Sequence, residues 1–143
     1  MLRISKLTDY ATLIMSHLAA DPERLESAAV IADALHLGLP TVSKLLKLLA
    51  DAGLVTSARG SDGGYRLARS PAQITLSDVI AAIDGDLALT ICCEGDKLCS
   101  LNMTCTIQDN WKVINHMVQD LLAQFTVKDM TSPLRSKSWL YGK

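Results

Sequence analysis

Residues 27–69 read SAAVIADALHLGLPTVSKLLKLLADAGLVTSARGSDGGYRLAR, and this stretch decides the fold. A first helix is predicted to begin after Ser27, because serine is a favoured N-cap residue. A tight turn over 38–41 follows, with Pro40 suited to the first turn of a second helix that ends near Gly53. Two short helices joined by a turn are the pattern of a helix-turn-helix, although an ordinary αα-hairpin shows the same pattern.

The second helix of this pair is predicted to have an apolar and a polar face. Its apolar residues recur at helical spacing and should be buried: Val42, Leu45, Leu46 and Leu49. The small polar and basic side chains should face outward, where they can read base edges and neutralise phosphates: Thr41, Ser43, Lys44 and Lys47. These four are the candidate DNA-binding residues of the helix.

A basic β-hairpin is predicted directly after the second helix. Strands over 54–57 and 65–68 flank a glycine-rich turn over 60–64, a composition typical of a hairpin. Arg59 and Arg66 lie on either side of this turn, whose glycines allow the backbone to approach phosphates or the minor groove. A basic hairpin in this position is the wing of a winged helix, which favours DNA binding over an ordinary helical hairpin.

The charge of the chain is unevenly distributed. The net charge is −1, which taken alone argues against a nucleic-acid partner. Residues 41–70 nevertheless carry five basic against two acidic side chains, whereas residues 71–130 carry three against eight. A basic segment within a neutral chain is typical of a phosphate-binding surface, although a solvated charged face looks similar.

Length and composition favour one small domain with an attached helical arm. The chain has 143 residues, 49% of them hydrophobic and 4% aromatic, which suits aliphatic helix packing. Its apolar runs are too short for a membrane span and its N-terminus lacks the features of a signal peptide, so we expect a cytoplasmic protein without a membrane partner. His17, His36 and His116 form no evident constellation with a nucleophile, and we expect no enzymatic activity.

Four cysteines lie close together in the second half of the chain. Cys93, Cys99 and Cys105 are separated by five residues each, in a polar segment with little apolar content to bury. Cytoplasmic thiols stay reduced, and three in one segment are a soft ligand set for an iron–sulfur cluster, zinc or Cu(I). A zinc-stabilised helical interaction module is an alternative, but closed zinc sites prefer four ligands. Cys92 is expected to be a packed thiol, because adjacent residues project differently.

An amphipathic pattern follows the cysteines. Apolar residues recur there at spacings of four and three, as in a two-helix contact: Ile107, Trp111, Ile114, Val118, Leu121 and Phe125. The pattern predicts a helix over 107–130 whose apolar stripe either forms a symmetric dimer or packs on its own domain. A chain this small cannot bury two extended apolar stripes well, which favours the dimer.

Several short motifs resemble one family of bacterial regulators. They are Leu2-Arg3-Ile4-Ser5, Thr8-Asp9-Tyr10, Gly53-Leu54-Val55, Arg59-Gly60, Gly63-Gly64-Tyr65, Leu67-Ala68-Arg69, Leu76-Ser77-Asp78-Val79-Ile80, Ile83-Asp84 and the three-cysteine segment. With these motifs the chain resembles the Rrf-type winged-helix repressors, which include the iron–sulfur regulator IscR and the nitric-oxide sensor NsrR, over roughly residues 1–130. The resemblance implies a homodimer that binds a pseudo-palindromic operator in double-stranded DNA. It also implies one iron–sulfur cluster, 2Fe–2S or 4Fe–4S, per subunit, and it is nearest to the SUF-type regulators of cluster assembly.

The ligand set departs from one branch of this family. In IscR-like members a histidine three positions after the third cysteine completes the set, and here that position is Gln108, a poor iron ligand. In NsrR-like members an aspartate of the first helix reaches the cluster of the partner subunit, and Asp9 occupies that place. The resemblance therefore implies Cys93, Cys99, Cys105 and Asp9 as the metal ligands. An ordinary solvated acid in the first turn of a helix would also explain Asp9.

These expectations combine into a mainly α fold with a small β wing. A winged helix-turn-helix domain is expected over 1–85, a cysteine segment over 86–106, a dimerisation helix over 107–130 and a tail over 131–143. The expected function is a DNA-binding transcriptional regulator, a repressor of iron–sulfur cluster assembly genes whose operator affinity is set by its cluster. A nitric-oxide-sensing repressor is the alternative that Asp9 and Gln108 leave open.

Overall fold

The computed structural model describes residues 3–95, 99–101 and 103–134. Helices predominate, and a two-stranded sheet interrupts them. In chain order the elements are α1 (Lys6–Ala19), α2 (Ala28–Leu35), α3 (Leu39–Asp51), β1 (Val55–Ala58), β2 (Gly64–Leu67), a 3-10 helix (Pro71–Gln73), α4 (Leu76–Asp84), α5 (Ile91–Glu94), α6 (Gln108–Ala123) and a 3-10 helix (Asp129–Thr131). The predicted mainly α fold with a small β wing is confirmed.

Helices α1 to α4 enclose the hydrophobic core. The apolar stripe predicted for α3 is completely buried there, at 0% exposure for each member. Neighbouring elements contribute the rest: Ala11, Ile14, Met15, Leu18, Ile31, Ala32, Leu54, Val55, Leu67, Ile74, Val79 and Val127. Ser5 and Ser27 cap α1 and α2 by accepting hydrogen bonds from the amide N–H groups of Thr8 (3.1 Å) and Val30 (3.3 Å). The N-cap predicted at Ser27 is therefore confirmed.

The connection between α2 and α3 has the geometry of a helix-turn-helix. Helix α2 ends at His36, whose backbone is left-handed (φ 54°), and α3 starts after its N-cap Gly38. Pro40 lies in the first turn of α3, as predicted, and Gly53 follows the end of α3 with a φ of 72° that favours glycine. The axes of α2 and α3 are bent by 119°. No single described helix is long and apolar enough to cross a membrane. Helices α2 and α3 taken together have the length and apolar composition of a membrane span, but they are sharply bent relative to each other.

The wing is attached to the rest of the domain by a third stretch of chain. Strands β1 and β2 pair antiparallel, with Ala58 opposite Gly64, and each strand lies within one residue of its prediction. Glu26, just before α2, adds a bridge to Tyr65 through reciprocal backbone hydrogen bonds of 3.0 and 2.8 Å. Gly64 is required at this contact, because a Cβ there would lie 2.5 Å from the carbonyl carbon of Glu26.

The C-terminal helix is shorter than predicted. A helix was expected over 107–130, but α6 already ends at Ala123, so the prediction was wrong for the last two turns. The reason is Val127, which is 1% exposed and belongs to the core. To reach the core, the chain turns back beside α4, where the N–H of Val127 donates a hydrogen bond to the carbonyl of Ile74 (2.8 Å). Residues 124–131 thereby join α6 to the winged-helix body.

Candidate nucleic-acid interface and cysteine site

The outward side of α3 carries the side chains predicted to contact DNA. Ser43, Lys44 and Lys47 are exposed, and Thr41 is half-buried near the start of the helix. The buried leucine face fixes the rotation of α3 and keeps these four side chains away from the core. Lys44 and Lys47 lie one turn apart, while Thr41 and Ser43 lie nearer the N-terminal end, the part of a recognition helix that reaches base edges.

The two predicted arginines of the wing differ in their surroundings. Arg59 is exposed beside the tip. Arg66 lies on β2 with 46% of its side chain exposed, and its guanidinium is 3.6 Å from the carboxylate of Glu23. Glu23 is itself 91% exposed, so this surface ion pair contributes little stability and a DNA phosphate can replace the carboxylate. Arg69, which was not among the predicted DNA contacts, is a further exposed cation beside the wing, 4.0 Å from Asp78.

Sequence reasoning missed the residue that anchors the wing. The side chain of Glu26 is 10% exposed, and its carboxylate lies 2.8 Å from Nε2 of His17 on α1. The backbone of the same residue pairs with Tyr65 of β2. Glu26 therefore links the wing to α1, in addition to the core contacts of Val55 and Leu67. No sequence pattern marks this role, because a glutamate before an N-cap serine is ordinarily solvated.

One face of α6 is apolar and exposed. Its members are between 37% and 66% exposed: Trp111, Val113, Ile114, Met117 and Leu121. Val118 of the predicted seam is half-buried instead, and Phe125 lies beyond the end of the helix. The exposed face is therefore centred on Ile114 and Met117, which are 43% and 66% exposed.

The opposite face of α6 holds the segment that leads to the cysteines. Asn115 is 5% exposed. Its amide oxygen accepts a hydrogen bond from the N–H of Leu89 (2.9 Å), and its amide nitrogen donates to the carbonyl of Leu87 (3.1 Å). Gln119, one turn later, donates to the same carbonyl (2.9 Å). We call Asn115 and Gln119 the amide clamp; two amides four residues apart are too common a pattern to have identified it from sequence.

The four cysteines are half-buried, unpaired thiols. Cys92 and Cys93 both lie on α5, a single turn. The hydroxyl oxygen of Thr90 is 3.0 Å from Sγ of Cys92 and 3.2 Å from Sγ of Cys93. Cys93 also approaches the carbonyl oxygen of Trp111 on α6 at 3.7 Å. The two adjacent thiols thus share one hydroxyl neighbour, although adjacent residues were expected to project differently.

The predicted metal ligands are not gathered into one site. Among the described residues, no group of three or more histidine, cysteine, aspartate or glutamate side chains is placed to hold a metal ion. Asp9 is exposed in the first turn of α1. Three half-buried thiols in one polar segment nevertheless have the donor chemistry of an iron–sulfur site. Cys93, Cys99, Cys105 and Asp9 therefore stay predicted ligands, and binding a cluster would require the thiols to move together.

Helices α1 and α4 are joined close to Asp9. The carboxylate of Asp84, the last residue of α4, accepts hydrogen bonds from the hydroxyls of Ser5 (2.9 Å) and Thr8 (2.7 Å). Gly85 follows with a φ of 82° and turns the chain toward the cysteines. A short path of covalent and hydrogen bonds therefore connects the first turn of α1 with the cysteine segment.

A cavity of about 670 Å³ lies between α4, α5 and α6. Cys92 and Cys93 of α5 line it, as do Lys112 and His116 of α6. Its volume is within the range of small-molecule sites in proteins.

Comparison with known proteins establishes the family. A family model described as Rrf2, iron-dependent transcriptional regulator, matches residues 4–133. The chain belongs to the Rrf2 family. It is 28% identical to the HTH-type transcriptional regulator NsrR of Shouchella clausii, over 90% of this chain and 88% of that protein.

Two solved structures share the fold of this Rrf2 protein. CymR, described as the global cysteine regulator of B. subtilis, superposes with a TM-score of 0.72 at 27% identity, covering 92% of this chain and 97% of CymR. IscR of T. potens superposes with a TM-score of 0.68 at 29% identity, covering 90% of this chain and 85% of IscR. Rrf2 proteins are DNA-binding transcriptional regulators rather than enzymes, and the helix-turn-helix with its hairpin is the winged helix of such a regulator.

Proposed function

We propose that this Rrf2 protein is a cytoplasmic, homodimeric repressor whose affinity for its operator is set by an iron–sulfur cluster. The proposed DNA contacts are Thr41, Ser43, Lys44, Lys47, Arg59 and Arg66. The proposed cluster ligands are Cys93, Cys99 and Cys105, completed by the partner subunit's Asp9. The observation that carries the DNA-binding part is the leucine-backed helix α3, whose exposed side is polar and basic and which is followed directly by the wing.

DNA binding is supported by the basic side chains that the closely packed helix α3 holds at the surface. Completely buried leucines hold α3 so that Lys44 and Lys47 stay exposed, and each phosphate that they neutralise releases counterions. Thr41 and Ser43 lie near the start of α3, where side chains of a recognition helix contact base edges in the major groove. The arginines of the wing would add contacts to the neighbouring phosphates.

Dimerisation is supported by the exposed apolar face of α6. Burying a side chain of this size stabilises an association by about 1.5–3 kcal/mol, and five such residues lie on one face. A second copy presents the same face, so a twofold contact buries both together. A twofold dimer also places two recognition helices for the half-sites of a palindromic operator, about 34 Å apart.

Coupling between the two parts is supported by the attachments of α6. The amide clamp ties α6 to the segment before the cysteines, and residues 124–131 tie its other end to the winged-helix body. Ordering the cysteine segment around a cluster would therefore act on the helix that sets the arrangement of the subunits. When bound, the cluster would supply a thiolate-ligated, oxidisable centre whose occupancy reports cluster supply, oxygen or nitric oxide.

The proposed targets are the genes of iron–sulfur cluster assembly, on the basis of the resemblance to SUF-type regulators. A repressor that senses nitric oxide is the second candidate function. It is favoured by Gln108 in place of a histidine ligand, by Asp9 in the first turn of α1, and by the similarity to NsrR.

The proposal is tested on protein purified without oxygen. Its absorption spectrum and iron content are measured, and DNA sequences that it binds are selected from a random pool. We expect thiolate-to-iron absorption and sequence-specific binding that weakens when Lys47→Ala is introduced. Lys128→Ala removes an exposed lysine outside the proposed interface and should leave binding unchanged. Failure of both the metal-free and the cluster-loaded protein to select any sequence would contradict the proposal.

A further inference from the structure

We propose that Cys92 and Cys93 form a thiol–disulfide exchange site, which reacts with a low-molecular-weight disulfide and ends as an intramolecular Cys92–Cys93 disulfide. The observation behind it is that Cys92, which is not a proposed cluster ligand, is adjacent to Cys93, which is one. Only the regulatory consequence rests on the proposed function; the exchange chemistry stands on the thiols themselves.

The two thiols share one side of the turn that carries them. The hydroxyl oxygen of Thr90 is within 3.2 Å of both sulfur atoms, so both side chains converge on a single group. Helix α5 contains only four residues, and its N-cap makes no hydrogen bond through its side chain to the described backbone. Among the described residues, the backbone N–H of Cys93 donates to the carbonyl of Thr90 (2.9 Å) and its thiol approaches the carbonyl of Trp111 (3.7 Å), so one turn with these contacts has to rearrange when a disulfide forms between neighbouring residues.

The cavity gives a disulfide reagent access to the pair. Both cysteines line a space of about 670 Å³ that also touches Lys112, His116 and Gly95. This volume accommodates a small organic disulfide, because small-molecule sites in proteins span about 300–1,000 Å³. A reagent in this space lies beside both cysteines, and most of the core of the winged-helix body is formed by residues that do not line it.

The reaction consists of two exchanges. One cysteine, as its thiolate, attacks a sulfur of the small disulfide; a protein–small-molecule disulfide forms, and one small thiolate leaves and takes up the proton that the cysteine released. The neighbouring thiol then attacks the protein sulfur of this mixed disulfide, forms the Cys92–Cys93 bond and expels the second small thiol. Two protein thiols are oxidised, and one small disulfide is reduced to two thiols.

The product should be easily reduced again. Consecutive Cα atoms lie about 3.8 Å apart, which is shorter than the span of an ordinary disulfide, about 4.4–6.8 Å. The resulting strain favours the reduced pair and makes the oxidised state reversible. Under the proposed function, oxidation withdraws Cys93 from the ligand set, so a cluster could not be taken up until the pair is reduced.

The test uses metal-free, full-length protein that carries Cys99→Ser and Cys105→Ser, so that only the pair can react. After incubation with oxidised glutathione, mass spectrometry should show the loss of two hydrogen atoms and no retained glutathione, reversed by dithiothreitol. Adding Cys92→Ser or Cys93→Ser leaves one thiol, which should instead retain a glutathione. Circular dichroism checks that each variant is folded.

Thr90 provides a second, independent readout. Thr90→Ala removes the shared hydroxyl and should slow closure of the pair by about fivefold, the effect of removing one hydrogen bond, whereas Thr90→Ser keeps the hydroxyl and should react at the original rate. A glutathione that persists while both thiols are present overturns the proposal, as does a wild-type digest in which the bond joins Cys99 to Cys105. If the pair closes but the reduced protein never takes up iron and sulfide, the cluster proposal fails and the exchange site stands.

Discussion

The winged-helix body and the cysteine segment are held in place by different forces. In the body, α3 alone buries four side chains completely. Between residues 86 and 107, none of the described side chains belongs to the core, and the amide clamp holds the segment through hydrogen bonds to Leu87 and Leu89. A closely packed helix resists displacement, whereas a segment held by a few polar contacts can reorganise when a ligand binds. This difference suits the proposed function, in which a rigid DNA-binding body is joined to an adaptable cluster-binding segment.

The largest difference between the two regions should be seen in the free energy of unfolding when one leucine in each is replaced by alanine. Leu46→Ala empties a completely buried position and should lower the free energy of unfolding by about 2–5 kcal/mol. Leu101→Ala, at a position that is 62% exposed beside the cysteines, should change it by less than about 0.5 kcal/mol. Urea unfolding of metal-free protein at one fixed concentration measures both. Similar losses in the two variants would mean that the cysteine segment is packed like the body.

The next effect concerns the exposed face of α6. Ile114→Lys with Met117→Lys places two charges at the centre of that face and should weaken the proposed dimer by about 3 kcal/mol or more, because two apolar side chains are removed from the interface. Analytical ultracentrifugation should then show monomers. The matched control, Val30→Lys with Ala34→Lys, changes two exposed positions of α2 and should leave the dimer intact. A dimer that survives the α6 substitutions would place the interface elsewhere.

The amide clamp should account for a smaller, local part of the stability. Asn115→Ala removes the acceptor for the N–H of Leu89, and an unsatisfied buried group costs about 1–3 kcal/mol. Hydrogen exchange of that N–H should therefore accelerate by about tenfold or more, while exchange in α3 stays unchanged. Asn110→Ala, at an exposed position of the same helix, serves as the control. Equal exchange rates in both variants would show that the clamp does not hold the segment.

The arginines of the wing should strengthen DNA binding by an amount that depends on the salt concentration. Arg59→Ala with Arg66→Ala removes two cations that are proposed to bind phosphates, so DNA binding should weaken for all sequences. The slope of log K against log salt should fall by about 1 for each arginine removed. Titrations at several salt concentrations measure that slope. A change of base preference with an unchanged slope would assign the arginines to base edges instead of phosphates.

The smallest effect should appear at the proposed fourth ligand. Asp9→Ala should loosen the cluster without removing it, because three thiolates remain, whereas Gln108→Ala should do little. The rate of cluster loss to a chelator, followed by absorption in the absence of oxygen, compares the two variants. If Asp9→Ala loses the cluster no faster than wild type, the cross-subunit ligand is wrong.

The sequence predicted the helix-turn-helix and the wing well because the signals for these elements are local. The N-cap at Ser27, Pro40 in the first turn of α3 and Gly53 after its end each act within a few residues. The wing follows in the same way from alternating residues around a glycine-rich turn. Local signals were therefore sufficient to predict the type of each of these elements and to place the ends of the strands to within one residue.

The features that sequence reasoning missed depend on distant contacts. Helical periodicity continued past Ala123, but the burial of Val127 against the core ends the helix early. Glu26 and Asn115 are polar residues whose partners lie on other elements, and nothing in their own neighbourhood marks them. Whether three thiols converge likewise depends on how the segment folds around a ligand, which spacing alone does not determine.

The most direct test of the central claim is operator affinity measured with and without the cluster in one anaerobic preparation. The account predicts that the Kd of the wild-type protein differs between the two states by about tenfold or more, which corresponds to about 1.4 kcal/mol of coupling. Cys99→Ser should bind the operator with a single affinity before and after incubation with iron and sulfide. Identical affinities of the cluster-loaded and metal-free wild-type protein would contradict the account.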